Sequence, residues 1–381
     1  MKHSISAATR RCIGLCLLAG LFTACEAPAL APIDPLPLPT EPATVIEARE
    51  APPSSTVTPM PYEELLRLFD YDRTEALDYR EIGVVDMGDA QVRDISYASP
   101  NGGQVSAFLV TPPGSGPFAG IVFLHRGGSN RRYFLDEALK YARLGAVSLL
   151  LDDNFSPTGR ARDYKRLIQI VNDLRRGVDL LSARSDVDPH RIGFVGFSYG
   201  ANLGGVLAGV EKRITAYVFM SGNARMSRDL IGLFNMSEEA QAQYLGYMAQ
   251  LDGIHFIGHA APAALLFQNA RKDALDPEPE ALEFQQAASE PKVVKWYDAY
   301  HQLNATADHD RADWLHEQIH LKALPQAVGS IDLLSSTRYR FSSGAIAGSS
   351  RLVLSYQCQP VLIVFGNEWP FDASTAASIH L

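Results

Sequence analysis

The residues best suited to covalent chemistry lie at positions 196–200, which read Gly-Phe-Ser-Tyr-Gly and match the pattern G-x-S-x-G. They directly follow an apolar run at 192–195 and directly precede a helix-like run. A nucleophilic serine needs this context, because a sharp strand-to-helix turn exposes its hydroxyl beside backbone N–H groups. Gly196 and Gly200 suit so tight a turn, since side chains there would collide. The pattern predicts Ser198 as a catalytic nucleophile.

A serine hydroxyl is a weak nucleophile at neutral pH and needs a base that an acidic side chain orients. Asp273 follows an apolar run at 263–268, and His301 follows another at 293–297. Both positions come after the serine in the order that accompanies this turn motif. Loops after parallel strands meet at one sheet edge, where ligands bind. His301 is therefore predicted as the base and Asp273 as its acid, with Asp276 as the rival acid.

The negative charge that develops on an attacked carbonyl oxygen needs two backbone N–H donors. The first expected donor is Tyr199, the residue after the nucleophile. The second is expected in the loop after the strand that ends at Leu124, where His-Arg-Gly-Gly follows. Gly127 is favoured and Arg126 is the alternative. The Arg126 side chain is interpreted as structural, with binding of a substrate carboxylate as the other option.

Alternating strands and helices must position these residues, and the pattern over residues 62–323 predicts a mostly parallel sheet covered on both faces. Apolar residues at steps of three and four over 160–184 predict a long helix on that sheet. Runs at 92–97 and 105–110, separated by Asn-Gly-Gly, predict an antiparallel hairpin. Strands are expected at 119–124, 146–151, 192–195, 215–220, 263–268 and 293–297.

Two segments near the C-terminal half are less regular. Residues 222–261 contain a predicted helix start at Ser237 and form either a helical cap over the active face or a crossover helix with a long lead-in. Residues 309–311, His-Asp-Arg, are expected at the exposed start of the final helix.

His255 and His259 lack the glutamate of a zinc-protease motif, and no nucleotide-binding glycine loop occurs. No metal ion and no cofactor are therefore expected.

With these residues identified, the chain resembles the α/β-hydrolase superfamily, nearest its dienelactone-hydrolase-like and prolyl-oligopeptidase-like serine esterase branches. The resemblance covers the loop at 125–128, the lead-in at 188–192, the motif at 196–200, and the loops of Asp273 and His301. It implies an eight-stranded, mostly parallel sheet flanked by helices, and acyl-enzyme chemistry that needs no metal.

The chain departs from that family pattern at three points. Arg126 stands where the first glycine of the usual His-Gly-x-Gly loop is expected, which leaves the second oxyanion donor open. Dienelactone hydrolases use a cysteine where this chain has Ser198, so lactone specificity does not carry over. No repeat of propeller-blade length precedes the domain, unlike in prolyl oligopeptidases.

Composition limits the remaining functions. The 381 residues carry 34 basic and 43 acidic side chains, a formal charge of −9, which argues against a nucleic-acid partner. Four cysteines are too few for a disulfide scaffold. The substrate is expected to be a small-molecule ester or acyl compound, and no protein partner is predicted.

The N-terminal sequence predicts export. Basic residues precede an apolar run at 12–22, and Leu-Phe-Thr-Ala before Cys25 resembles a bacterial lipoprotein signal. Residues 1–25 are thus predicted as a signal peptide with Cys25 as the lipidated residue, which would anchor the protein at the cell envelope. Ordinary secretory cleavage and an uncleaved anchor are the alternatives. The proline-rich residues 26–61 are interpreted as a tether.

These patterns divide the chain into that signal, the tether, a hydrolase domain at 62–323 and an unassigned extension at 324–381. Within the extension, apolar runs at 351–356 and 360–365 suggest a hairpin. The leading hypothesis is an exported serine hydrolase of carboxylic esters. The alternatives are an amide or peptide hydrolase with the same triad, and a non-catalytic tethered binding protein on a hydrolase scaffold.

Overall fold

A single large sheet organises the part of the chain that the computed structural model describes, which comprises residues 60–153, 160–232 and 237–322, with the backbone of three short strands between 344 and 364. The strands of the large sheet are β1 (Arg80–Asp86), β2 (Gln91–Ala98), β3 (Gln104–Thr111), β4 (Phe118–Leu124), β5 (Ala146–Leu151), β6 (Val187–Phe197), β7 (Ala216–Met220), β8 (Ala264–Ala270) and β9 (Lys292–Tyr297). Their order is β1-β2-β3-β5-β4-β6-β7-β8-β9.

The sheet is mostly parallel, as predicted. β5, β4, β6, β7, β8 and β9 run parallel, so their carboxyl ends lie at one edge. β2 and β3 form the predicted antiparallel hairpin, and β3 joins β5 antiparallel.

The sheet has nine strands, so the prediction of eight was wrong. In this chain β1 was missed because it lies at an edge and all seven of its residues are exposed. A strand without a buried face carries no alternation of apolar and polar residues, which is the pattern that identifies strands in a sequence.

Helices cover both faces of the sheet. They are α1 (Tyr62–Arg67), α2 (Leu135–Arg143), α3 (Arg160–Ser182), α4 (Tyr199–Val210), α5 (Met226–Gly232), α6 (Glu238–Met248), α7 (Glu278–Ala287) and α8 (Ala305–Ile319). Because successive strand residues point to opposite faces, Val122 belongs to the buried cluster that contains Leu174 of α3, whereas Ile121 belongs to the cluster that contains Trp314 of α8. Thus α1, α3, α4 and α7 lie on one face, and α2 and α8 on the other.

The irregular segment after β7 contains α5, α6 and three 3-10 turns between residues 249 and 259. The hydroxyl of Ser237 accepts a hydrogen bond from the backbone of Ala240 at 3.3 Å, as expected of a helix N-cap. α6 lies against α3, where the rings of Tyr247 and Tyr164 are 4.3 Å apart. The segment therefore extends the helical layer on the α3 side.

The C-terminal extension contributes β10 (Gly344–Ile346), β11 (Ser349–Tyr356) and β12 (Gln359–Val364) to a separate antiparallel sheet. The hairpin suggested by the two apolar runs forms between β11 and β12. The predictions for the signal, for Cys25 and for nearly all of the tether concern residues outside the described part. Where the structure describes the chain, none of its helices is both long and apolar enough to cross a bilayer.

Candidate active site

Ser198 occupies the tight turn between β6 and α4. Its backbone has φ 54° and ψ −118°, a left-handed conformation that non-glycine residues adopt only where the surrounding structure enforces it. Its N–H donates to the carbonyl of Met220 on β7 at 2.8 Å, and its own carbonyl accepts from Asn202 in α4 at 2.9 Å. These bonds fix the turn, and the residue stays half-buried rather than enclosed.

The two glycines of the motif permit that turn for the predicted reason. A Cβ on Gly196 would lie 2.4 Å from the carbonyl oxygen of Gly200. A Cβ on Gly200 would lie 2.1 Å from the carbonyl oxygen of Leu124, at the end of β4. Backbone atoms cannot move out of the way as a flexible side chain can, so both positions require glycine.

The loops after β8 and β9 bring Asp273 and His301 together. His301 Nδ1 donates to Asp273 at 2.8 Å from Oδ2 and 3.0 Å from Oδ1, and the two side chains are 11% and 2% exposed. Burial raises the pKa of the Asp273 carboxyl, but hydrogen bonds from His301 and from backbone N–H groups of Asp276 and Leu275 outweigh burial. The pKa therefore lies below its ordinary value, and the carboxyl is ionised at neutral pH.

Asp276, the rival acid, lies in the same cluster but is placed differently. Its Oδ2 is 3.7 Å from His301 Nδ1, beyond hydrogen-bonding distance, while its Oδ1 accepts from Asn223 Nδ2 at 2.5 Å. Burial raises the pKa of its carboxyl to about 7, and the neighbouring charges of Asp229 and Asp273 act in the same direction. Of the two carboxyls, only Asp273 is hydrogen-bonded to the imidazole.

The imidazole lies beside the strand that carries the serine. The ring centroid of His301 is 5.0 Å from that of Phe197, the residue that precedes Ser198. On another side, the ring of Tyr133 stacks on Phe197 at 5.5 Å. The loops of His301 and Asp273 and the Ser198 turn thus follow three parallel strands at the same edge of the sheet.

The candidate oxyanion segments also meet at this edge. A Cβ on Gly127 would lie 3.8 Å from Cβ of Tyr199, so the loop after β4 runs alongside the first residue of α4. The Arg126 guanidinium folds back on its own loop, donating to the Gly127 carbonyl at 3.2 Å and lying 5.8 Å from the ring centroid of Tyr133. Both candidates for the second donor, the amides of Gly127 and Arg126, thus belong to the loop that runs beside Tyr199.

Sequence reasoning missed two side chains that support the site. Asp153, just beyond β5, accepts from the Tyr199 hydroxyl at 2.9 Å and from Arg166 Nη2 at 2.5 Å. Asn223, just beyond β7, bridges Asp276 and Asp229. The available signal was their position, since each polar residue follows a buried strand at the edge where Ser198 lies.

One group in the described part of the chain has the composition of a metal site. Asp273, Asp276 and His301 each offer a ligand atom within 4.8 Å of the others. His301 Nδ1 carries a proton, which forms the hydrogen bond to Asp273, and the raised pKa of Asp276 favours the neutral form of its carboxyl. Because metal ligation needs a deprotonated nitrogen and ionised carboxylates, the trio fits acid–base chemistry better than a metal ion.

Comparisons with known proteins agree with this architecture. No protein-family profile matches the chain. A mouse protein, acyl-coenzyme A thioesterase 3, is 31% identical over 121 residues, which cover 32% of this chain and 27% of the thioesterase. The chain thus matches about a quarter of that relative's length.

Among solved structures, acetyl xylan esterase 1 from Thermoanaerobacterium sp. JW/SL YS485 superposes with a TM-score of 0.59 at 17% identity, over 68% of this chain and 95% of that one. The acetyl xylan esterase from Paenibacillus sp. R4 gives 0.55 at 18% identity, over 68% and 93%. The chain therefore has the α/β-hydrolase fold. The two structural neighbours are named as esterases and the mouse relative as a thioesterase.

Proposed function

We propose that this chain is a serine hydrolase that cleaves carboxylic esters through an acyl-enzyme intermediate. The observation that carries the proposal is the bond from His301 Nδ1 to the ionised Asp273, formed at the sheet edge where Ser198 sits in its strained turn. Since Nδ1 donates to the carboxylate, Nε2 is the ring nitrogen that can accept a proton from a serine hydroxyl.

The proposed reaction uses these groups in two stages. The Ser198 oxygen attacks the acyl carbon while His301 Nε2 takes its proton, and the N–H of Tyr199 and one N–H of the 125–128 loop hold the oxyanion. His301 then gives that proton to the departing alcohol as the ester bond breaks. A water molecule then attacks the acyl carbon while His301 Nε2 takes its proton, and His301 returns that proton to the Ser198 oxygen as the acyl–serine bond breaks and the acid leaves. Throughout, Asp273 orients the imidazole and stabilises its charged form.

The substrate class is supported by similarity more than by geometry. The structural neighbours are named as acetyl xylan esterases, which favours short acyl groups, and the mouse relative is named as an acyl-coenzyme A thioesterase. Oxygen esters and thioesters share the same acyl-transfer chemistry, so both belong in a substrate panel. Anilides of the same acyl groups test the amide-hydrolase alternative.

The direct test compares wild-type protein with Ser198→Ala on p-nitrophenyl esters of increasing acyl length. We expect kcat/KM to fall by about three orders of magnitude or more with an unchanged circular dichroism spectrum. Ser221→Ala is the matched control, because Ser221 also follows a parallel strand at a positive φ. Full activity in the Ser198→Ala variant would remove that residue from the mechanism.

Export and anchoring form a separate part of the proposal and rest on the sequence around Cys25. The full-length protein, expressed in a bacterium fed labelled palmitate, is expected to carry the label and to sediment with membranes. Cys25→Ala is expected to abolish both. Labelled, membrane-bound Cys25→Ala protein would contradict a lipoprotein signal.

A further inference from the structure

A buried carboxylate links the two segments that are candidates for the oxyanion hole. Asp153 follows β5, the strand beside β4, and its side chain is 1% exposed. A carboxylate so deeply buried needs strong partners on both oxygens. Asp153 has them: Oδ2 accepts from the Tyr199 hydroxyl at 2.9 Å, and Oδ1 from Arg166 Nη2 at 2.5 Å.

The backbone of the same residue holds the other segment. Asp153 N–H donates to His125 Nε2 at 3.2 Å. Because Nε2 accepts a proton there, the ring proton resides on Nδ1, which lies 2.7 Å from the carbonyl oxygen of Arg126 and donates to it. His125 is 2% exposed, so water does not compete for these bonds. The carbonyl of Arg126 and the N–H of Gly127 belong to the same planar peptide unit. The orientation of the carbonyl therefore fixes the direction in which the N–H points.

We propose that Asp153 is a positioning residue that holds both halves of the oxyanion hole, the Tyr199 segment through its side chain and the 125–127 loop through its backbone. The inference deepens the proposed esterase function and depends on it. Oxyanion donors are effective only when they are held at the right distance before the reaction begins. Loss of the Asp153 contacts should therefore weaken binding of the transition state and leave binding of the ester largely unchanged.

The test begins with Tyr199→Phe, which removes the hydroxyl but keeps the ring, the backbone N–H and the ion pair of Asp153 with Arg166. With p-nitrophenyl acetate we expect kcat to fall about 10- to 100-fold while KM stays within about two-fold. Phenylboronic acid, which forms a tetrahedral adduct with a catalytic serine, should bind more weakly by a similar factor. A general loss of active protein would lower the fraction of protein that a fluorophosphonate labels at the catalytic serine, but it would not change the boronate Ki.

Two further variants make the test specific. Tyr71→Phe is the matched control, since the Tyr71 hydroxyl donates to the half-buried Asp179 at 3.0 Å in another part of the fold. It should leave kcat and the boronate Ki unchanged. Asp153→Ala should lower kcat at least as much as Tyr199→Phe, and the double variant should be no worse than Asp153→Ala alone, because both changes remove the same hydrogen bond between Tyr199 and Asp153.

The outcomes separate this inference from the proposed function. If Ser198→Ala retains activity, the esterase mechanism itself is wrong. If Ser198→Ala is inactive but Tyr199→Phe keeps its kcat, or loses kcat with an unchanged boronate Ki, only the positioning role of Asp153 is overturned. A parallel fall in kcat and boronate affinity, absent in Tyr71→Phe, supports the role.

Discussion

Asp276→Asn should change how the stability of the protein depends on pH. The carboxyl has a pKa of about 7 in the folded protein, chiefly because of burial, against an ordinary value of 3.8. Between those two values the folded state binds more protons than the unfolded state, so the free energy of unfolding falls as pH rises. The contribution of the Asp276 carboxyl to the free energy of unfolding is complete below pH 4 and is lost above pH 7. A pKa shift of one unit corresponds to about 1.4 kcal/mol. The shift from 3.8 to about 7 therefore sets a ceiling of about 4 kcal/mol on this contribution to stability.

Asparagine removes that contribution because it does not ionise. Its side-chain oxygen can still accept from Asn223, which now bonds Asp276 Oδ1 at 2.5 Å. Relative to wild type, the variant should gain about 2–4 kcal/mol of stability between pH 4.5 and pH 7.5. Urea titrations followed by tryptophan fluorescence at four pH values in this range measure the difference. Parallel wild-type and variant curves would refute the reasoning.

Asp273→Asn is the informative comparison, because the Asp273 carboxyl lies beside the same imidazole but its pKa is shifted in the opposite direction. The pKa of Asp273 is lowered, so its stabilising contribution is present above its ordinary value and is lost only as pH falls through the lowered pKa. The Asp273→Asn variant should thus be less stable than wild type above about pH 4, where the wild-type carboxylate is ionised. It should also lose about 10⁴-fold in kcat, whereas Asp276→Asn should stay within about ten-fold.

Two predictions concern the scaffold. Arg311→Ala should lower the free energy of unfolding by about 3–5 kcal/mol in urea denaturation, because it breaks a buried ion-pair network, whereas Arg143→Ala, which removes an exposed pair, should cost under about 1 kcal/mol. Gly200→Ala should cost more than about 3 kcal/mol or prevent soluble expression, because its Cβ would meet the Leu124 carbonyl, while Gly83→Ala has open space and should fold normally. Equal effects within either pair would contradict the structure.

The sequence was sufficient for features that depend on local pattern. Buried parallel strands such as β4 appear as uninterrupted apolar runs, since both of their faces are covered. The Ser198 turn was predictable because Gly196 meets the backbone of Gly200 only four residues later, whereas the contact of Gly200 with the Leu124 carbonyl lies far away in the sequence. The order of strand, loop and polar residue also predicted that Asp273 and His301 would follow neighbouring strands.

Other features depend on contacts between distant parts of the chain. Arg311 was expected at the exposed start of the last helix, but α8 begins at Ala305 and Arg311 is 1% exposed, paired with Glu137 of α2. Charge alone favours exposure for an arginine, and the ion pairs with Glu137 and Asp308 offset the free-energy cost of burying it. The bond between Tyr199 and Asp153 joins residues 46 positions apart and leaves no periodic pattern in the sequence.

The most direct test of the account is covalent labelling of the purified protein with a fluorophosphonate, followed by peptide mapping. The phosphonate should attach to the peptide that contains Ser198, at a rate that becomes negligible in His301→Ala. Absence of labelling, or attachment at another serine, would contradict the claim that this turn, histidine and aspartate form one catalytic unit.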